Sequence, residues 1–329
     1  MYISGINSLA EILQNLIENS ESILILTHKN PDGDGLAACL ALKHIINKLY
    51  KKTSHILLEK PAPDFLEFLD VYKHTSCQTE TTHFDLILTL DCHEKSRTNI
   101  NEDFYHHAKH VLFIDHHELI ETAISKEYFY YVEPSEVCTG IILHNVFGHL
   151  INKFDSSDQK YYADCIYTTI LNDTDNFLNS NLDRETYAVC AQLMDLGLNP
   201  SQIVTEFLLK KSPQYYKFIG EVLATIELHQ KGKVLFIHST LEMLNSLGLS
   251  NDATSKMMRW VKGVKGVDIQ VYFQQVEENI FRISFRSDTT VVNQLAMKFG
   301  GGGHKKAAGC EISGSLDEVK SMVLAEIRF

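Results

Sequence analysis

Three short apolar runs, each ending abruptly in ionisable residues, constrain this chain most. Residues 22–27 (SILILT) run into His28-Lys29-Asn30-Pro31-Asp32-Gly33-Asp34-Gly35. Residues 84–90 (FDLILTL) run into Asp91, and residues 111–114 (VLFI) run into Asp115-His116-His117. Unalternated apolar runs of this length suit strands buried on both faces, the condition of a parallel sheet covered by helices. Helical spacing separates them. Leu9, Ile12, Leu13, Leu16 and Ile17 recur over 8–20, and Leu36, Leu40, Ala41, Ile45 and Leu49 mark a second helix. Residues 55–58 read as a further strand. Strands alternating with helices predict an α/β fold with a doubly wound, mostly parallel sheet. Ligands of such sheets bind beyond the carboxyl ends of the strands, so the three polar clusters are expected at one edge.

The chain has 329 residues, which suggests two domains. Helices are expected over about 159–171, after Asp183 as N-cap through Leu193, and from Asn199-Pro200-Ser201. Strand-like runs then return at 234–237, 267–274 and 280–286, followed by a helix over 291–299 and by Gly300-Gly301-Gly302-Gly303-His304. The expected division is a first domain over 1–185, a helical linker over 186–222, and a smaller α/β domain over 223–329, with a cleft between the domains. Residues 1–190 hold 14 Lys/Arg against 28 Asp/Glu, and the remainder holds 16 against 14. The acidic half is a poor surface for long duplex nucleic acid, whose affinity rests on phosphate neutralisation. It could hold cations, and the C-terminal half could meet an anionic substrate. Seven scattered cysteines with no CxxC pair argue against a disulfide framework or a zinc knot. No apolar run is long enough for a membrane span, and the first 20 residues lack the basic and apolar regions of a signal peptide. The default location is cytoplasmic.

The polar clusters have bland readings as well as chemical ones. The segment 28–35 could be an Asx-rich turn with Asp34 as N-cap of the next helix. It could equally aim His28, Asp32 and Asp34 at one point, with Pro31 and the two glycines forcing an irregular backbone. Asp91 alone could cap a turn. Two histidines beside an acid at a third strand end are harder to dismiss, and Asp173, in the polar segment 172–177, completes a set. Five carboxylates with two or three imidazoles exceed the needs of one divalent ion, whereas two ions about 3.5–4 Å apart, sharing a carboxylate, would use them. Without metal, so many acids would repel and raise their own pKa values. Gly300–Gly303 could form an N–H nest for phosphate, or a flexible loop. Arg286 could clamp a phosphate, or be a surface arginine. His106, His107, His110, His144 and His149 read as ordinary surface or core residues.

Together these motifs resemble the DHH-type phosphoesterase superfamily, in particular the branch with a DHHA1-type C-terminal domain and its nano-RNase and pAp-phosphatase group. The carriers are His28-x-Asn30-Pro31-Asp32-x-Asp34, Asp91, Asp115-His116-His117, Asp173, and Gly300–His304 with Ala307-Ala308-Gly309. The resemblance covers nearly the whole chain. It implies that His28, Asp32 and Asp91 bind one ion and Asp34, Asp91, His116 and Asp173 the other, Asp91 bridging. The ions implied are Mn²⁺, with Mg²⁺ as the alternative. Asp115 would orient neighbouring ligands and His117 would contact the scissile phosphate. Arg286, Gly301, Gly302, Gly303 and His304 would hold the far end of the substrate, and Arg97 also matches a family position. The implied reaction is attack by a metal-bridging hydroxide on very short single-stranded RNA or DNA oligonucleotides, giving 5′-mononucleotides, and on 3′-phosphoadenosine 5′-phosphate, giving AMP. A cyclic or linear dinucleotide phosphodiesterase, an inorganic pyrophosphatase and a non-enzymatic nucleotide sensor stand as alternatives, and a homodimer is left open. One departure stands out: Asp175 occupies the place where the family's Asp-Thr-Gly motif has glycine.

Overall fold

A computed structural model describes residues 1–98, 100–179 and 182–328. The chain forms two compact units that divide between Lys210 and Lys211. In the first unit, β1 (Ile23–Leu26), β2 (Ser54–Leu57), β3 (Thr75–Ser76), β4 (Leu86–Leu90), β5 (His110–Asp115) and β6 (Phe129–Val132) make one sheet in the order β3-β2-β1-β4-β5-β6. Every pairing in it is parallel. The strand order reverses beside β1, which is the switch point where a doubly wound sheet opens a crevice.

Both faces of this sheet are buried. Ile23, Ile25, Leu86, Leu88, Leu90, Leu112 and Ile114 enter one apolar cluster, while the alternate residues Leu24, Leu26, Ile87, Val111 and Phe113 enter another. The period-two geometry of a strand sends successive side chains to opposite faces, so an unbroken apolar run is required. The helices of this unit are α1 (Ile6–Glu18), α2 (Gly33–Tyr50), the short α3 (Val71–His74) and α4 (Asp103–His107), α5 (Thr139–Phe147), α6 (Ser156–Asp173), α7 (Arg184–Asp195) and α8 (Pro200–Val204). Helix α6 runs two residues further than its apolar pattern suggests, so Asp173 is its last residue rather than part of a turn. Asp183 and Asn199 cap α7 and α8, each accepting a backbone N–H with its side chain. Both helices lie within the stretch 186–222 or just before it. They pack on the first unit through Val189, Leu193, Leu198 and Ile203.

The second unit contains α9 (Pro213–Ala224), β7 (Glu227–His229), β8 (Val234–Ser239), α10 (Leu241–Ser246), β9 (Ile269–Glu277), β10 (Ile280–Arg286), α11 (Asn293–Lys298), β11 (Gly302–His304), β12 (Ala307–Ser313) and α12 (Leu316–Glu326). Its sheet runs β11-β12-β10-β9-β8-β7, antiparallel except for β8 with β9. Phe281, Ile283, Phe285, Ala308, Cys310 and Ile312 face a core shared with α11 and α12. The glycine-rich stretch is therefore not a free loop. Gly302–His304 is an edge strand paired with Ala307–Gly309. Glycine is needed there for close approach: a Cβ on Gly301 would collide with the Gly309 carbonyl, and one on Gly303 would stand 2.6 Å from the Ala307 carbonyl. All seven cysteines are free, and all but Cys77 and Cys190 are buried. Among the described residues no helix is long and apolar enough to cross a membrane.

Candidate metal centre

The three strand-end clusters and Asp173 meet at the carboxyl edge of the first sheet. Asp91 stands between two sets of side chains. Its Oδ2 lies 3.2 Å from His28 Nε2, which is itself 3.8 Å from Asp32 Oδ1. Its Oδ1 lies 3.6 Å from His116 Nε2 and 3.6 Å from His117 Nδ1. His116 Nε2 is also 2.9 Å from Asp173 Oδ2 and 3.6 Å from Asp34 Oδ2. His28, Asp32 and Asp91 thus form one metal-sized group, Asp34, His116 and Asp173 another, and Asp91, His116 and His117 a third that overlaps both.

Local structure explains each position. Asp32, not Asp34, is the N-cap of α2, its Oδ1 accepting from the Asp34 and Gly35 amides. This leaves Asp34 on the first turn of the helix, fully buried. Its carboxylate accepts from the Thr139 and Gly140 amides at the start of α5, at 2.8 and 3.2 Å. A helix N-terminus has unpaired N–H groups that suit an anion. Gly33 and Gly35 do not supply unusual dihedral angles, since both lie inside α2 and neither has positive φ. They supply space. A Cβ at Gly35 would collide with Thr27 Oγ1 and stand 3.0 Å from Asp91 Oδ2 and 3.3 Å from His28 Nε2. Asp91 itself has φ 62°, a strained left-handed conformation that turns its carboxylate out of β4. Asp175 likewise has φ 48°, so the glycine of the related motif is replaced by a residue that tolerates the same backbone.

Several contributors were not visible in the sequence. Asn172 Nδ2 donates to Asp32 Oδ2 at 2.9 Å and to Asp173 Oδ1 at 2.8 Å, linking one carboxylate from each set. The Glu136 carbonyl, 3.3 Å from His116 Nδ1, can only accept, so Nδ1 carries a proton and the Nε2 edge faces the carboxylates. His93, fully buried, contacts Asp115. An aspartate-to-histidine pairing two residues after Asp91 carries no periodicity or motif that would have exposed it. Arg97 lies half-buried, and its carbonyl accepts from the Lys29 amide at 2.6 Å, tying the His28 segment down.

The electrostatics favour a bound cation. Burial first, then the carboxylates of Asp173 and Asp91, push the Asp34 carboxyl well above the usual range. Burial also pushes up Asp173, against the pull of the His116 imidazole. For His116, burial works downward, but the contacts with Asp173 and Asp91 outweigh it and the imidazole is pushed up to about 12. His28 is pushed up to about 9 in the same way, with Asp32 and Asp91 overriding its burial. Like charges crowded in a low-dielectric site raise their own pKa values unless a cation intervenes. Among the described residues, Asp91 Oδ1 is buried without a hydrogen-bond partner, and His116 Nε2 is buried facing only carboxylates, which suits atoms aimed at a cation. Carboxylate and imidazole donors together fit a divalent ion.

The second unit places Arg286 and His304 on one row of its sheet, each opposite Ala307. The next row is Ser284, Gly309 and Gly302. Since Ala308 and Cys310 face the core, this row faces outward, and Arg286 and His304 are exposed beside a shelf of bare backbone.

A doubly wound α/β unit with overlapping imidazole–carboxylate groups at the carboxyl edge of its sheet has the donor set of a metal-dependent hydrolase. The chain belongs to the DHH/DHHA1 phosphoesterases: residues 22–170 match the DHH family, N-terminal domain, and residues 233–328 match the DHHA1 domain. It is 28% identical over 317 residues to the bifunctional oligoribonuclease and PAP phosphatase NrnA of Thermus thermophilus, covering 93% of this chain and 89% of the relative. To the protein of the same description from Bacillus subtilis it is 25% identical, covering 93% and 94%. The crystal structure of an exopolyphosphatase-related protein from Bacteroides fragilis shares the fold, with a TM-score of 0.85 at 22% identity, over 97% of this chain and 96% of that one.

Proposed function

We propose that this protein is a two-metal phosphoesterase that hydrolyses very short RNA oligonucleotides to 5′-mononucleotides and 3′-phosphoadenosine 5′-phosphate to AMP. The observation that carries this is the placement of Asp91, with one carboxylate oxygen toward His28 and Asp32 and the other toward His116. The two relatives described as oligoribonuclease and PAP phosphatase support the substrate classes. His28, Asp32 and Asp91 would hold one ion, and Asp34, Asp91, His116 and Asp173 the other. Bound there, divalent ions acidify a water molecule at neutral pH and neutralise charge building on the phosphoryl oxygens. Two imidazoles in the donor set favour Mn²⁺ over Mg²⁺, which prefers oxygen ligands.

The chain's own groups do the rest. Asp115 keeps a proton of His117 on Nδ1, at 2.7 Å, which would leave Nε2 to meet the phosphate. Arg286 and His304, beside the Gly302 and Gly309 backbone of the second unit, would bind a phosphate or base. Arg97 adds positive charge beside the His28 segment. The test is turnover with Mn²⁺ of a 5′-labelled RNA dinucleotide, a 24-mer, 3′-phosphoadenosine 5′-phosphate, cyclic di-AMP and pyrophosphate. Cleavage of the dinucleotide and the bisphosphate, with the 24-mer spared, is the expected result. Turnover of pyrophosphate or cyclic di-AMP alone would overturn the substrate assignment and leave the metal centre standing.

A further inference from the structure

We infer that His93 is a positioning residue that holds Asp115, and through it His117, in the orientation the reaction needs. His93 follows Asp91 by two residues and is 2% exposed. Its Nδ1 lies 2.5 Å from Asp115 Oδ2. Its Nε2 accepts from the Ile120 backbone N–H at 3.1 Å. An amide can only donate, so Nε2 carries no proton, the proton is on Nδ1, and the ring donates it to Asp115. The backbone around the ring therefore selects the tautomer.

Asp115 is fully buried, and its other oxygen is also committed. Oδ1 accepts from the amides of His116 and His117, at 2.8 and 3.2 Å, and from His117 Nδ1 at 2.7 Å. The carboxylate thus sits between two imidazoles, a buried one that clamps it and a partly exposed one that it orients. Without the His93 donor, Oδ2 would be a buried charged acceptor with no partner, and such a group relieves itself by rotating or by taking a proton. Either change frees the His117 ring. The arrangement is a relay of orientation, from the Ile120 amide to His93, Asp115 and His117, with no net proton movement along it. His93 touches neither substrate nor a metal-ligand carboxylate in this chain of contacts.

Two substitutions separate this role from a merely structural one. His93→Asn puts an amide N–H near the place of Nδ1 and keeps the bond to Asp115, but loses the acceptor for Ile120. His93→Gln reaches the Ile120 amide and loses the donor to Asp115. The inference rests on the phosphoesterase reading for its kinetic arm, so each variant is also read by two-bond ¹H–¹⁵N spectra of the metal-free protein, which report the His117 tautomer whether or not anything turns over. We expect His93→Gln to lower kcat on an RNA dinucleotide with Mn²⁺ by roughly 10- to 100-fold, the scale of groups that orient a metal site from outside. KM and bound metal should stay within about twofold, and the His117 spectrum should show mixed tautomers. His93→Asn should keep most of the activity and a single Nδ1–H tautomer. The reverse ranking would make His93 a latch for the 116–124 segment and overturn the inference, as would two variants equal to wild type. Loss of bound metal in step with kcat would overturn it too. If wild type itself cleaves no phosphodiester, the proposed function falls, and the tautomer spectra alone decide for or against the relay.

Discussion

The two units present their polar residues in opposite ways. In the first, every strand pairing is parallel, both faces are covered, and eight ionisable side chains crowd the one open edge, several of them fully buried. In the second, the sheet is mostly antiparallel, and its far end keeps one face wet, with Arg286 and His304 exposed beside bare glycine backbone. Parallel sheets are covered on both faces because their crossover helices lie there, whereas antiparallel sheets can leave one face to water. The difference teaches where each kind of chemistry can sit. A low-dielectric edge amplifies charge and suits ion binding and bond cleavage. A solvated shelf gives weaker interactions that suit holding and releasing a flexible anionic substrate.

If this division holds, substitutions in the first unit change kcat and metal content, and those in the second change KM. The largest effect is expected from Asp91→Ala, which would remove a ligand from both of the proposed ion groups. Outer groups of metal sites are worth roughly 10- to 100-fold, so losing the shared ligand should cost about 10³-fold or more in kcat. Metal content measured on the purified variant should fall as well, and full activity with two ions retained would break the assignment. Next comes Gly35→Ala. Its methyl group would press on Thr27 and toward Asp91 and His28, and misplacement of about 1 Å is worth roughly 100-fold. Circular dichroism should show an intact fold, so that the kinetic loss is read as geometry.

Arg286→Ala tests the other side of the comparison. A hydrogen bond to a charged group contributes about 1.5–3 kcal/mol, so KM for an RNA dinucleotide should rise roughly tenfold or more while kcat and metal content hold. A fall in kcat at constant KM would place Arg286 with the chemistry instead. The smallest effect concerns binding alone. In the metal-free protein His28 holds its proton up to a pH of about 9, and that proton must leave before an ion can bind. Apparent Mn²⁺ affinity should therefore rise with pH, by up to about tenfold per unit for this one proton, and the His28 share of the rise should end near pH 9, while His116, pushed up to about 12, goes on contributing. Calorimetric titrations at pH 7 and 8, in buffers of different ionisation enthalpy, would count the proton released. No proton release would show that His28 stays outside the ion group.

Much of the first unit was legible before the structure. The runs 22–27, 84–90 and 111–114 suited buried strands, and each ends in ionisable residues that the structure brings together at one edge. The helix caps at Asp183 and Asn199 were also readable, because capping is a local hydrogen bond. The reading of Gly33 and Gly35 as sources of irregular backbone was not correct. Both are helical, and what they provide is clearance that depends on Thr27, Asp91 and Phe207, residues distant in sequence. The Gly302–His304 strand was missed for a similar reason. Glycine has no strand propensity, and only the carbonyls of Ala307 and Gly309 show why a side chain is excluded.

By itself, then, the sequence determined the alternation of strand and helix, the direction of the sheet, and the residues that stand at its carboxyl edge. These follow from periodicity and from the length of apolar runs, which act over a few residues. The tertiary structure alone decided the rest: that Asp91 turns through a left-handed backbone to face two groups at once, that Asn172 links Asp32 to Asp173 across 140 residues, and that His93 and Asp115 meet. Such contacts bring together polar groups far apart in the chain. The fold supplies their partners and keeps much of the competing water away.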